Sequence, residues 1–148
     1  MKEFIASNAN ETVEIGYQLG LLLKPGDTIL LEGNLSGGKT TFTKGIGKAL
    51  NIKRIINSPT FTILKEYQGK YPLYHMDLYR LDENSHDYDL ENYINGDGIA
   101  VIEWPFQAPM LLPDEYLLIS FSILENGSRK ITLEAKGNHY EELLGELK

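Results

Sequence analysis

The sequence contains no cysteine, no long apolar segment and only three arginines. Without cysteine there can be no disulfide framework, thiolate nucleophile or cysteine-bound zinc, and the composition is typical of a reducing compartment. No stretch approaches the roughly 18 consecutive apolar residues of a membrane-spanning helix, and the first residues lack the apolar core of a secretion signal. We therefore expect a soluble, cytoplasmic protein that does not contact a membrane.

Positive charge is scarce as well. Fourteen Lys and Arg stand against 21 Asp and Glu, which gives a net charge of −7. This is the wrong sign for a protein whose main task is to bind a nucleic-acid backbone. One local cluster of cations stands out, although a solvated helix surface and its exit loop are the simpler explanation. This cluster consists of Lys44, Lys48, Lys53 and Arg54.

The chain of 148 residues is expected to form one domain, residues 1–148, with an α/β architecture. Two short apolar runs bounded by turn signals, residues 28–32 (TILLE) and 99–104 (IAVIEW), are typical of buried parallel strands. Residues 40–50 carry apolar side chains at helical spacing. The other predicted strands are residues 2–7, the antiparallel segments 61–67 and 71–79, and the hairpin 116–124 with 129–135. The other predicted helices are residues 10–23, 85–94 and 140–147.

Residues 33–40, GNLSGGKT, match the pattern G-x-x-x-x-G-K-[ST] of a phosphate-binding loop. Glycines let successive backbone N–H groups surround phosphate oxygens, and the helix that follows directs its positive end at them. The loop residues that would contribute these groups are Ser36, Gly37 and Gly38. Lys39 is the expected cation for the outer phosphates, and we expect it to face solvent when no nucleotide is bound. Thr40 is the expected Mg²⁺ ligand, and Thr41 is placed to reach the α-phosphate.

The position of this loop between a buried strand and a helix predicts the fold class. We expect a P-loop NTPase-like three-layer fold with a mostly parallel sheet extended by antiparallel strands. The loop alone does not identify the base or the reaction. It does require an acidic group at the end of a neighbouring strand to hold Mg²⁺.

Two carboxylates are candidates for that acidic group. Glu103 ends the apolar run IAVIE, and Asp77 lies within YHMDLYR. Either residue could instead be a structural carboxylate, and Arg80 is a natural ion-pair partner for Asp77. The residue pattern leaves both assignments open.

Histidine and aromatic residues near these acids are explained most simply by packing. They are His75, Tyr79 and Trp104. Neither His86 nor His139 has a partner at the spacing of metal ligands. A histidine metal site is therefore not predicted.

Four segments follow one another in a specific order between residues 33 and 105: GNLSGGKTTFTKG, NSPTFTILKEY, LYHMDLYRL and VIEWP. In this order they resemble the bacterial TsaE family, formerly called YjeE. TsaE proteins are small P-loop ATPases needed for threonylcarbamoyladenosine, the modification beside the anticodon of tRNAs that read codons starting with A. The resemblance implies Mg²⁺-dependent ATP binding and hydrolysis that is weak alone and depends on the partner proteins TsaD and TsaB. It also implies that tRNA is contacted mainly through these partners.

The resemblance also suggests roles for individual residues. Lys39 and Asp77 would take part in catalysis, and Glu103 would do so by binding Mg²⁺ together with Thr40. Other residues expected near the nucleotide are Thr12, Ser58, Thr60 and Trp104. The loop departs from the family's usual Gly-Asp-Leu-Gly-Ala-Gly-Lys-Thr at three places that do not define the pattern, Asn34, Ser36 and Gly37.

Three other functions compete with this interpretation. A small-molecule kinase usually brings a lid with several arginines to the transferred phosphoryl group, whereas the arginines here lie in unrelated segments. A GTPase would carry an Asn-Lys-x-Asp sequence to read guanine, and none is present. A non-catalytic ATP-binding assembly factor would have the same sequence pattern, because a partner could complete its site.

Overall fold

A computed structural model describes residues 1–33, 38–59, 63–79, 81, 90–94 and 96–147 of the chain. In this part of the chain, seven strands form one sheet and three α-helices pack against it. The strands are β1 (Lys2–Ala6), β2 (Thr28–Glu32), β3 (Leu64–Tyr67), β4 (Leu73–Asp77), β5 (Ile99–Glu103), β6 (Tyr116–Ile123) and β7 (Arg129–Lys136). The helices are α1 (Ala9–Gly20), α2 (Gly38–Ala49) and α3 (Asn138–Glu146). None of the helices in these residues combines the length and the apolar character needed to cross a lipid bilayer.

The strands follow the order β1-β7-β6-β2-β5-β4-β3 across the sheet. The inner strands β6, β2, β5 and β4 are parallel to their neighbours within this group, and every outer pair is antiparallel. Every residue of β5 and all but the last residue of β2 are buried, as expected for central strands covered on both faces. The predicted parallel sheet with antiparallel extensions is therefore confirmed.

Alternate side chains of a strand point to opposite faces of the sheet, and each face of this sheet carries its own hydrophobic core. Ile29 and Leu31 of β2 pack with residues of all three helices, whereas Leu30 belongs to a second core on the opposite face. In the described residues, short 3₁₀ helices contribute to the layer over that second face. These are Leu90–Asn92, Pro105–Gln107 and Pro109–Leu111.

The ends of several elements differ from the sequence-based prediction. α1 ends at Gly20 instead of continuing to residue 23, and the N–H of Leu22 donates to the carbonyl of Leu19 in a tighter turn, 2.9 Å. The N–H of Leu23 likewise donates to the carbonyl of Gly20, 3.3 Å, so hydrogen bonds of the 3₁₀ type replace the α-helical pattern after Gly20. Residues 85–89 of the predicted acidic helix lie outside the described residues, and its described part contains a 3₁₀ helix. α2 and α3 each begin two residues before their predicted start.

Helices α1 and α2 touch through glycines. A Cβ atom at Gly45 of α2 would collide with the carbonyl oxygen of Val13 in α1, and one at Gly16 of α1 would collide with the carbonyl oxygen of Phe42 in α2. Only glycine permits backbones to approach this closely. As a result, the first turns of both helices border one cavity beside residues 33–40.

Candidate functional site

The segment that contains residues 33–40 connects β2 to α2. Gly33 directly follows β2 and has φ of 134°, and a Cβ there would lie 2.7 Å from the carbonyl oxygen of Phe121. α2 begins at Gly38. The strand before this motif and the helix after it are therefore as predicted, and residues 34–37, including Ser36 and Gly37, lie outside the described residues.

Both candidate acids lie at the carboxyl ends of neighbouring strands. Asp77 ends β4, Glu103 ends β5, and their Cα atoms are direct partners in the parallel pair. Their exposed fractions are only 5% and 4%. Paired residues of adjacent parallel strands project to the same face of a sheet. The structure thus brings together the two acids between which the sequence could not choose.

Lys39 reaches this pair of acids from the first turn of α2. Its Nζ lies 3.9 Å from Oε1 of Glu103 and 4.4 Å from the centre of the Trp104 ring. The expectation that Lys39 faces solvent is wrong, because the side chain folds inward and only 6% of the residue is exposed. Burial lowers the pKa of Lys39 below its ordinary value, while the carboxylates of Glu103 and Asp77 act in the opposite direction.

Trp104 occupies a constrained position directly after Glu103. Its φ of 54° is in the left-handed region. For a bulky residue this backbone conformation costs about 1–3 kcal/mol and persists only where surrounding contacts enforce it. The ring packs against Tyr79 at a centroid distance of 4.9 Å, and the Tyr79 N–H donates to Oδ1 of Asp77, 2.9 Å. The aromatic pair therefore borders the same cluster as Lys39 and the acids.

His75 contacts the cluster from inside the protein. Its Nε2 lies 2.6 Å from Oε2 of Glu103, and the residue is fully buried. The packing interpretation of His75 missed this contact. The available signal was its place two residues before Asp77, which puts both side chains on one face of β4. Of the other histidines, His139 contacts Asp27 at the start of β2, 2.7 Å, and His86 lies outside the described residues.

A cavity of about 240 Å³ lies beside the start of α2. Thr12, Gly38 and Thr41 line it together with Arg129. Nη1 of Arg129 is buried and has no hydrogen-bond partner among the described residues. No local pattern marks Arg129 as a site residue, because only the pairing of β7 with β1 and β6 brings the start of β7 to this point. Thr12 also lines the cavity, and its place near the nucleotide stays a prediction.

Two further predicted site residues belong to residues 58–60, of which the structure describes residues 58 and 59. Ser58 is exposed, and Pro59, its neighbour, is buried. Thr60 and Arg80 lie outside the described residues, so the expected place of Ser58 and Thr60 near the nucleotide and the Asp77–Arg80 pair remain predictions.

The basic cluster of the sequence analysis forms a surface feature. Lys44, Lys48 and Arg54 line a shallow depression on α2 and the loop after it. Arg54 donates to the carbonyl of Glu66, 3.2 Å, and lies over the Tyr67 ring. These contacts agree with a solvated surface.

The residues of this site suit Mg²⁺, which keeps water and phosphate ligands, better than a metal ion whose ligands are all protein side chains. Within the described residues, no group of three or more His, Asp or Glu could hold a metal. Mg²⁺ prefers oxygen ligands and commonly takes one or two carboxylates together with substrate phosphates. Glu103 supplies such a carboxylate at the end of β5, and Thr40 in the first turn of α2 can add a hydroxyl.

Comparison with known proteins gives consistent results. The family model "Threonylcarbamoyl adenosine biosynthesis protein TsaE" matches residues 6–131. The tRNA threonylcarbamoyladenosine biosynthesis protein TsaE of Bacillus subtilis (strain 168) is 48% identical over 141 residues, which cover 95% of this chain and 89% of the relative. The protein of the same name from Treponema pallidum (strain Nichols) is 40% identical, with 87% of this chain and 97% of the relative covered. The crystal structure of Bacillus subtilis YdiB is similar with a TM-score of 0.87 and 41% identity, over 99% of this chain and 93% of that one.

These matches extend well beyond the four segments between residues 33 and 105 that first suggested a family. The family model begins in β1 and ends in β7, the two strands that pair at one edge of the sheet. The sequence matches and the structural match therefore both cover most of this chain, and the chain belongs to the TsaE family.

Proposed function

We propose that this chain binds ATP with Mg²⁺ and hydrolyses it in the cytoplasm during tRNA threonylcarbamoyladenosine biosynthesis, the process in which TsaE family proteins take part. The observation that carries the proposal is the buried cluster beside residues 33–40. There Lys39 lies 3.9 Å from Glu103, whose Cα is paired with that of Asp77. A lysine and two carboxylates next to a glycine-rich strand-to-helix segment suit phosphoryl chemistry.

Lys39 and the loop would bind the phosphates. The ammonium group would leave Glu103 and Trp104 and turn to the β- and γ-phosphates, where its charge is neutralised more fully. Backbone N–H groups of Ser36, Gly37 and Gly38 would surround the phosphate oxygens at the positive end of α2.

Thr40 and Glu103 would hold the metal ion. When bound, Mg²⁺ neutralises the charge that develops on the phosphate oxygens. Asp77 would orient the water that attacks the γ-phosphorus, and the bond from that phosphorus to the bridging oxygen would break. The hydrogen bond from the Tyr79 N–H fixes one oxygen of this carboxylate.

The cavity beside α2 would receive the nucleoside side of ATP. Thr41 would donate to the α-phosphate, and Thr12 would line the same space. Arg129 would add a cationic donor there, since its buried Nη1 has no partner among the described residues. Trp104 would lie near the phosphates, and Ser58 and Thr60 would approach the γ-phosphate.

TsaD and TsaB are the proposed partners. The net charge of −7 agrees with a division of labour in which these partners contact tRNA and this chain supplies ATP hydrolysis. In this arrangement hydrolysis would reset or regulate the complex.

Isothermal titration calorimetry of ATP binding tests the site. We expect wild-type affinity to rise when Mg²⁺ is added, and we expect Glu103→Gln to reduce that gain by at least about tenfold. Glu142→Gln, which removes one exposed carboxylate from α3, is the matched control and should behave as wild type. Absence of ATP binding by the wild-type protein at every Mg²⁺ concentration would contradict the proposed function.

A further inference from the structure

We propose that His75 is a positioning residue that holds the Glu103 carboxylate in the orientation required to bind Mg²⁺. This inference rests on the Mg²⁺ site proposed at Glu103. It assigns a role to a buried polar side chain that the phosphate-binding pattern does not include.

The two oxygens of Glu103 have different partners. Oε2 lies 2.6 Å from Nε2 of His75, whereas Oε1 lies 3.9 Å from Nζ of Lys39. His75 thus contacts the carboxylate from the interior, and Lys39 contacts it from the side of the motif. The oxygen on the motif side is the one available to a metal ion.

The hydrogen bond also defines the tautomer of His75. An ionised carboxylate can only accept, so the proton in this contact lies on Nε2. Nδ1 is buried and has no partner among the described residues. With a neutral ring, Nδ1 carries a lone pair, and no buried N–H is left without an acceptor. The geometry therefore fits a histidine that donates to Glu103 alone.

His75 is the contact that would persist when nucleotide binds. Lys39 would move to the phosphates, and its attraction for Glu103 would then be lost. His75 lies on β4, is fully buried and has its Cα paired with that of Val101 in β5. A pair of hydrogen-bonded strands inside the sheet cannot shift as a lysine side chain can. Among the described residues, His75 is therefore the contact that restrains the flexible Glu103 side chain in both states.

Substitution of a residue that supports a metal ligand commonly lowers metal affinity about 10- to 100-fold. We expect His75→Leu, which keeps much of the volume and removes the donor, to raise the Mg²⁺ concentration for half-maximal tightening of ATP binding by about that factor. His75→Gln should restore most of the affinity, because its amide nitrogen can take the place of Nε2. His75→Asn should behave like His75→Leu, because its shorter amide corresponds to Nδ1.

The experiment measures ATP binding by calorimetry over a series of Mg²⁺ concentrations, and Mn²⁺ binding by electron paramagnetic resonance with a non-hydrolysable ATP analogue. Thermal unfolding without nucleotide reports the cost of each variant to the fold. Met76→Ala is the matched control, since Met76 is buried in the same strand but belongs to the core on the opposite face. This variant should lower the unfolding temperature. It should leave unchanged the Mg²⁺ midpoint, which is the Mg²⁺ concentration for half-maximal tightening of ATP binding.

The outcomes separate the positioning role from the proposed function. A wild-type midpoint in both His75→Leu and His75→Asn, with Mg²⁺ dependence intact, would overturn the role of His75 and leave the site at Glu103 standing. Should His75→Leu fail to fold, the comparison of His75→Asn with His75→Gln decides the question. Equal midpoints in those two variants would overturn the role. No Mg²⁺ dependence in the wild-type protein would overturn the proposed site and the role of His75 together.

Discussion

Lys39 is held by groups that it would have to leave in order to bind a nucleotide. Its charge is buried against Glu103 and Trp104, and burial is the main reason that its pKa is lowered. A lowered pKa means that the folded protein disfavours the charged form of this lysine relative to the unfolded chain. The functional group is therefore expected to reduce the stability of the nucleotide-free protein.

Lys39→Met keeps the length of the side chain and removes its charge. We expect ATP affinity to fall about 10- to 100-fold, as for the loss of a charged hydrogen bond. Without nucleotide, we expect a higher unfolding temperature than wild type at neutral pH. This advantage should shrink as the pH rises from the lowered pKa of Lys39 to 10.5, the ordinary lysine value, because above that value the lysine is neutral in both the folded and the unfolded chain. Calorimetry and thermal unfolding check both effects, and a variant that is less stable yet binds normally would contradict this account.

The sequence predicts some site residues better than others. Lys39 and Thr40 follow from one local pattern that needs no tertiary information, whereas Glu103 and Asp77 are alternatives until strand pairing places them side by side. The contact of His75 with Glu103 depends on the register of β4 against β5, which local patterns do not encode. The same limit applies to Arg129, whose position depends on two antiparallel strand pairs.

At the scale of elements, the contact between α1 and α2 positions the site. α2 carries Lys39 and Thr40, and α1 carries Thr12 on the wall of the same cavity. We expect Gly45→Ala to destabilise the protein by about 1–3 kcal/mol, because the added Cβ would force the two backbones apart. ATP affinity should fall as well, since the first turns of both helices would move.

Gly145→Ala is the control for this prediction. Gly145 lies near the end of α3, and no atom lies within 4 Å of the place of an added Cβ. Alanine there should leave ATP binding unchanged and stabilise the helix by up to about 1 kcal/mol. Chemical denaturation measures both variants. A Gly45→Ala protein as stable as wild type would show that the helices can separate without cost.

Elements with strong local signals are predicted most accurately. The predicted strand at residues 28–32 matches β2 from end to end, because a short apolar run bounded by turn residues has few alternatives. Helix ends are less accurate, since hydrogen bonds of the last turn decide them, as at Gly20. The order of strands in the sheet was not predictable, because β6 joins β2 only after the chain has passed through β5.

At the scale of the whole molecule, neither of the two arginines that the structure describes forms an ion pair with Glu103. Arg54 donates to the carbonyl of Glu66, and Arg129 lines the cavity with Thr12 and Thr41. In other P-loop systems, an arginine that stabilises the transition state contributes about 10³ to 10⁵ in rate. Without an arginine directed at the γ-phosphate, a P-loop protein should bind ATP and hydrolyse it slowly.

We therefore expect partners to complete the site. TsaD and TsaB would order residues 58–60 and exclude water from the nucleotide, which strengthens the electrostatic interactions there. Steady-state phosphate release should be measured for this chain alone, for TsaD with TsaB, and for all three proteins together. We expect the mixture to exceed the sum of the two separate rates by at least about tenfold, a small part of what a completed site can supply. A rate for the chain alone equal to that of the mixture would mean that its own residues already complete the site, and would favour a stand-alone ATPase or a small-molecule kinase.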